Sequence, residues 1–177
     1  MKHQEEGRIA VPGGKVWYGI YGVGAKGIPL LVLHGGPGAP HDYLEGLSAL
    51  AGERPVIFYD QLGCGKSDRP SDPSLWNRDR FTDELLAVID ALGFAKVNLL
   101  GQSWGGMLAV SYFLRAGSQR IERLVLSAPL LSSPAWIEDQ RILLSLMPWQ
   151  TQKAVDKAEA SGDFSDASYQ RAMTAYY

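Results

Sequence analysis

Residues 97–114 constrain the fold more than any other stretch. An apolar run, Val97-Asn98-Leu99-Leu100, leads into a small-residue bend, Gly101-Gln102-Ser103-Trp104-Gly105-Gly106, and then into the apolar stretch Met107-Leu108-Ala109-Val110-Ser111-Tyr112-Phe113-Leu114. A buried strand that bends straight into an apolar helix belongs in a sheet with helices packed on its faces. Gly101 and Gly105 stand two positions either side of Ser103, where the missing Cβ atoms leave room for close backbone approach. A serine hydroxyl is a weak nucleophile, so chemistry that uses one exposes it at a tight turn where a base and backbone N–H donors converge. Short glycine patterns occur in many unrelated loops, and it is the strand before and the helix after that make Ser103 a candidate nucleophile.

The rest of the chain repeats the strand-and-helix alternation. Residues 8–11 and 15–21 flank Pro12-Gly13-Gly14, with Val16, Tyr18 and Ile20 alternating against Trp17 and Gly19, which predicts an antiparallel hairpin. Residues 28–33, 55–59, 96–100 and 124–126 are short apolar runs of the kind buried on both faces of a parallel sheet. Helical spacing appears over 41–51, 78–92 and 104–115. The middle one is clearest, with Phe81, Leu85, Val88, Ile89 and Leu92 on one face and Gly93 just past its end. After Pro129 the pattern changes to three helical stretches, 136–147, 151–160 and 165–177, separated by Pro148 and by Ser161-Gly162-Asp163. The expected division is therefore an α/β core over 1–129 and a helical subdomain over 130–177.

Composition removes several classes of function. A net charge of −2, with both signs interspersed, gives no basic field for a phosphate backbone, so nucleic acid is not an expected partner. Residues 1–10 are polar and charged, and no run reaches the roughly 18 apolar residues of a membrane span, so the expectation is a soluble, cytoplasmic protein. A single cysteine, Cys64, excludes an internal disulfide and an ordinary zinc site. Neither a metal nor a cofactor is expected. Gly22-Val23-Gly24-Ala25-Lys26-Gly27 fits G-x-G-x-x-G, but Pro29 and a strand follow where a dinucleotide site needs a helix. Asp60-Gln61-Leu62-Gly63-Cys64-Gly65-Lys66-Ser67 ends like a phosphate-binding loop, yet Asp60 stands where that loop needs glycine, and Asp68-Arg69-Pro70 replaces the helix start. Cys64, between two glycines, reads as a small residue in a tight loop.

His34-Gly35-Gly36-Pro37-Gly38 follows directly on the run 28–33, where a glycine-rich loop can aim backbone N–H groups at a developing oxyanion. His34, at a strand end, reads as an orienting hydrogen-bonding residue in preference to a base.

HGGPG at 34–38, DQLGCGKS at 60–67 and GQSWGG at 101–106, in that order, resemble the proline iminopeptidase (prolyl aminopeptidase) family of α/β-hydrolases. The resemblance covers essentially the whole chain. It implies an α/β-hydrolase fold: a mostly parallel sheet with an N-terminal antiparallel hairpin, ending after the start of a helical cap. It also implies Ser103 as nucleophile, the N–H groups of Gly36 and Trp104 as the oxyanion hole, and release of N-terminal proline or another residue from a small peptide or amino-acid amide through an acyl-enzyme. An esterase or amidase of the same fold is the first alternative, and a catalytically inactive binding module the second.

Histidine occurs only at positions 3, 34 and 41. In this fold the triad runs serine, acid, histidine, so the base belongs after Ser103, where no histidine stands. Asp139, Asp156, Asp163 and Asp166 follow the nucleophile, but all lie in the expected cap. The triad acid and histidine are therefore expected to lie outside these residues, in a longer chain or in a separate C-terminal half, and residues 1–177 alone are expected to be inactive. The strand near 123–127 is expected to present an apolar edge that pairs with other chains.

Overall fold

The computed structural model describes residues 4–176, so His3 and Tyr177 lie outside the described residues. Strands β1 (Glu5–Val11) and β2 (Gly14–Tyr21) form the antiparallel hairpin, with Val11 opposite Gly14 and Ile9 opposite Val16. Gly13 takes φ 96° in the turn, a conformation that favours glycine. Four further strands follow: β3 (Leu30–Leu33), β4 (Val56–Tyr59), β5 (Val97–Gln102) and β6 (Ile121–Ser127). The sheet order is β1-β2-β4-β3-β5-β6, with β2 antiparallel to β4 and the last four strands mutually parallel.

Every residue of β3 and β4 is buried, as their unbroken apolar runs require. The two-residue period of a strand then sorts their side chains between two layers. Leu31, Leu33, Ile57 and Tyr59 pack with Phe81, Leu85, Val88 and Ile89 of α1 (Arg78–Leu92) and with Leu108, Ala109 and Tyr112 of α2 (Trp104–Ala116). Leu30, Val32, Val56 and Phe58 face the opposite way, onto Ala51, Leu44, Leu47 and Leu50 of the 3₁₀ segment His41–Gly52. Helix α1 starts where the Asn77 side chain accepts the Arg80 N–H at 2.9 Å, and ends at Gly93 in the left-handed region, φ 70°.

The chain runs from β3 to β4 on one side and then crosses to β5 on the other. The loops leaving the carboxyl ends of β3 and β5 therefore lie side by side, at the position where open α/β sheets form a crevice.

Among the described residues β6 pairs only with β5, and Val125 and Leu126 are 44% and 37% exposed. An apolar strand edge with unpaired ladder groups recruits other strands. Residues 1–177 expressed alone should accordingly elute as oligomers or aggregate in size-exclusion chromatography with light scattering. A monodisperse monomer would contradict this.

The chain divides into two compact units, Met1–Leu131 and Ser132–Tyr177. The second consists of α3 (Ser133–Ser145), α4 (Trp149–Ser161) and α5 (Ala167–Tyr176) around a small cluster of Leu144, Val155 and Ala172. Arg141 of α3 pairs with Asp156 and Glu159 of α4. Among the described residues no helix is long and apolar enough to cross a membrane.

Candidate active site

Ser103 joins β5 to α2 with φ 53° and ψ −118°. Only Ser103 and Ala128 have positive φ without being glycine among the described residues. Such a backbone costs an ordinary residue of the order of 1–3 kcal/mol and persists only where the surroundings enforce it. The surroundings here are mostly backbone. A Cβ on Gly101 would lie 2.2 Å from the Gly105 carbonyl oxygen, one on Gly105 would lie 2.2 Å from the Leu33 oxygen, and one on Gly106 would lie 2.6 Å from the Pro129 Cβ. The glycines thus let the first turn of α2 sit directly on the ends of β5 and β3. The Ser103 N–H donates to the Ser127 oxygen at 3.0 Å, and the Ser103 carbonyl accepts from Gly106 and Leu130 at 2.9 and 3.0 Å.

The loop 34–38 crosses this bend. Leu33 pairs with Gly101 in the sheet, and a Cβ on Gly35 would fall 2.6 Å from the Gln102 side-chain oxygen and 3.2 Å from the Ser103 Cβ. The Gly35 N–H is already engaged, donating to the Tyr43 hydroxyl at 2.7 Å. Among the described residues the N–H groups of Gly36 and Trp104 donate to no protein acceptor. Gly36 holds φ 109°. The candidate donors thus sit on two segments packed around Ser103, both unengaged.

The histidines are committed elsewhere. His34 is fully buried. Its Nε2 accepts the Gln61 N–H at 2.9 Å, which leaves the proton on Nδ1 to be donated to the Gly35 carbonyl at 2.9 Å. Burial pulls its pKa below the ordinary histidine value, keeping the ring neutral. This is the orienting role the sequence suggested. His41 is buried against Trp17, ring centroids 4.6 Å apart, with Nδ1 2.7 Å from Asp60 Oδ1. Burial alone would raise the Asp60 pKa. The His41 ring and the N–H groups of Lys66 and His41 outweigh it and hold the carboxyl below the usual range.

The loop 60–67 closes on that carboxylate. Asp60 Oδ2 accepts the Lys66 N–H at 2.9 Å, Ser67 Oγ accepts the Trp17 N–H at 2.8 Å, and the Lys66 ammonium lies 4.1 Å above the Trp17 ring. These groups are turned to each other, leaving no phosphate cradle. His34, Asp60 and Cys64 bring ligand-type atoms within 4.8 Å of one another, but His34 Nε2 accepts from Gln61, the Asp60 oxygens pair with His41 and Lys66, and Cys64 Sγ donates to the Gln61 carbonyl at 3.2 Å. The Cys64 thiol is pushed up to about 12 by burial, with Asp60 and Glu84 adding to the effect, so it does not supply a thiolate.

Two residues that the sequence reading gave no role touch the site. Gln61 Nε2 donates to the His34 carbonyl at 2.9 Å, and its Oε1 accepts the Trp104 indole N–H at 2.9 Å. Tyr43 accepts from Gly35 and donates to Gln102 Oε1 at 2.6 Å. Beside the loop lies a cavity of about 550 Å³, lined by Pro37, Gly38, Leu62, Trp76, Phe81 and Trp104.

A positive-φ serine after a central parallel strand, overlain by a glycine loop from the neighbouring strand, is the architecture of one large class of enzymes. The chain belongs to the family of the alpha/beta hydrolase fold, whose model matches residues 28–176. Within that class it is similar to the proline iminopeptidase of Heyndrickxia coagulans, 43% identical over 171 residues that make up 97% of this chain and 59% of that protein. Among solved structures it is similar to the proline iminopeptidase of Mycobacterium smegmatis, with a TM-score of 0.85 at 34% identity over 98% of this chain and 60% of that one. It is likewise similar to the protein VinJ, with a TM-score of 0.90 at 34% identity over 99% of this chain and 60% of that one. The chain spans about three fifths of these relatives, 59% and 60% of their lengths.

Proposed function

We propose that the full-length protein is a serine hydrolase of the proline iminopeptidase type, with Ser103 as nucleophile and the N–H groups of Gly36 and Trp104 as its oxyanion hole. The observation that carries this reading is the forced backbone at Ser103, φ 53°, between two segments with unengaged N–H groups. The similarity to two proline iminopeptidases supports the substrate class.

In this mechanism a base removes the Ser103 hydroxyl proton as Oγ attacks the carbonyl of the substrate's N-terminal residue. The negative charge that forms on the carbonyl oxygen is met by the Gly36 and Trp104 N–H groups, each donor of this type contributing roughly 10²–10³ in rate. The protonated base then delivers its proton to the leaving amine, and water hydrolyses the acyl-enzyme in a second round of the same chemistry. His34 and His41 are both bound in other contacts, so the proposal takes the base and its orienting acid from outside these 177 residues. Residues 130–177 would begin a helical cap subdomain, and the aromatic cavity beside Trp104 would take an apolar part of the substrate. The protein acts in the cytoplasm on this reading.

The discriminating experiment compares proline arylamide with its N-acylated form on the full-length natural protein. An aminopeptidase should hydrolyse the free substrate and reject the blocked one by at least about 100-fold, since a buried site left without the amine loses its charged partner. Comparable turnover of both would replace this reading with an amidase or esterase of the same fold.

A further inference from the structure

The loop 34–38 and the bend at Ser103 come from different strands, so something besides the sheet has to hold the two N–H donors in register. Two side chains bridge them, one on each side of Ser103. Gln61 spans from the His34 carbonyl, at the root of the loop, to the indole of Trp104, the residue after Ser103. Its own backbone N–H holds the His34 ring at 2.9 Å, and at 1% exposure its amide has no water to turn to. Tyr43 spans from the Gly35 N–H to the side chain of Gln102, the residue before Ser103. By occupying the Gly35 N–H, Tyr43 also leaves Gly36 as the donor free in this part of the loop.

We infer that Gln61 and Tyr43 are positioning residues: a pair of struts that fix the separation between the Gly36 and Trp104 N–H groups, and so the size and aim of the oxyanion hole. The inference rests on the proposed role of Ser103 and of these two donors. The struts touch no reacting atom. They act through backbone that does, and a misplacement of about 1 Å in such a site costs on the order of 10² in rate. Because the oxyanion exists only in the transition state, loosening a strut lowers kcat while leaving ground-state binding, and hence KM, largely unchanged.

The test is steady-state kinetics of the full-length natural protein on proline arylamide, comparing Tyr43→Phe, Gln61→Met and the double variant with Ser103→Ala. Each single strut variant should lose roughly 10- to 100-fold in kcat with KM within about twofold, approaching but not exceeding the loss of an oxyanion donor itself. The double variant should lose less than the product of the two, since both report on one geometry. Gln61→Met strands a buried indole N–H and a carbonyl and lowers the melting temperature. Tyr43 is 53% exposed, so Tyr43→Phe should melt within a few degrees of the parent and carries the test if Gln61→Met fails to fold. Unchanged kcat in Tyr43→Phe, or a loss expressed in KM alone, with Ser103→Ala inactive, would overturn the strut role. Turnover retained by Ser103→Ala would instead overturn the assignment of Ser103 on which the inference stands.

Discussion

Replacing Ser103 with glycine should abolish turnover of proline arylamide and raise the melting temperature of the same protein. The first effect follows from the role proposed for Ser103 as nucleophile. Loss of the serine in a comparable hydrolase costs on the order of 10⁶ in kcat, because the base and oxyanion hole have nothing to act with. The second follows from the backbone. Ser103 is held at φ 53° and ψ −118°, a region that glycine occupies without strain. Relief of about 1–3 kcal/mol, less the extra entropy glycine brings to the unfolded chain, leaves a net gain of about 1 kcal/mol, or about 2–4 °C. Ser103→Ala removes the hydroxyl but keeps the Cβ, so it should be equally inactive without the rise. Measuring both variants separates the chemical role of the side chain from the strain of the bend. Equal melting of the glycine and alanine variants would show that the bend is not strained at this residue.

Gly105→Ala should damage the fold as severely as Ser103→Ala damages activity. The added methyl would sit 2.2 Å from the Leu33 carbonyl oxygen and 2.7 Å from the His34 oxygen, and both neighbours are backbone that cannot rotate away. Helix α2 would have to lift off the end of β3, dragging its packing on Leu33 and Leu99 with it. Overpacking of a rigid site costs about 1–3 kcal/mol and more where backbone is the obstacle, against a total stability of about 5–15 kcal/mol. The expected result is a melting temperature lowered by about 10 °C or failure to accumulate as soluble protein. Gly46→Ala is the control. A Cβ there meets nothing within 4 Å, so it should melt within about 2 °C of the parent. If the two variants melted alike, the close approach of α2 to β3 would not be holding the bend.

The elements that could be read in the sequence are those whose cause is local. The spaced apolar residues from Phe81 to Leu92, with Gly93 just past them, define α1, and its bounds agree with the pattern. The apolar runs of β3 and β4 announced strands buried on both faces, and Gly101 and Gly105 marked the bend because the clash that excludes a side chain is a property of the turn itself. The segment 41–51 was legible as helical, while the 3₁₀ winding of His41–Gly52 carries no signature in so short an apolar pattern. The struts were not legible. Gln61 stands inside a motif that could be quoted, but its partners, His34 and Trp104, are 27 and 43 residues away. Tyr43 reaches Gln102 across 59 residues. A polar side chain that bridges distant loops leaves no periodicity, and only the fold shows what it touches. The pairing of His41 with Asp60 escaped for the same reason.

The most direct test of the central claim, that Ser103 is a nucleophile set in an oxyanion-binding bend, is covalent trapping. The full-length natural protein is treated with a fluorophosphonate, digested, and the modified peptide identified by mass spectrometry. The account predicts a single phosphonyl adduct on Ser103, lost in Ser103→Ala and matched by stoichiometric loss of arylamide turnover. Inhibition with the adduct on any other residue, or full turnover persisting after Ser103 has been modified, would contradict it.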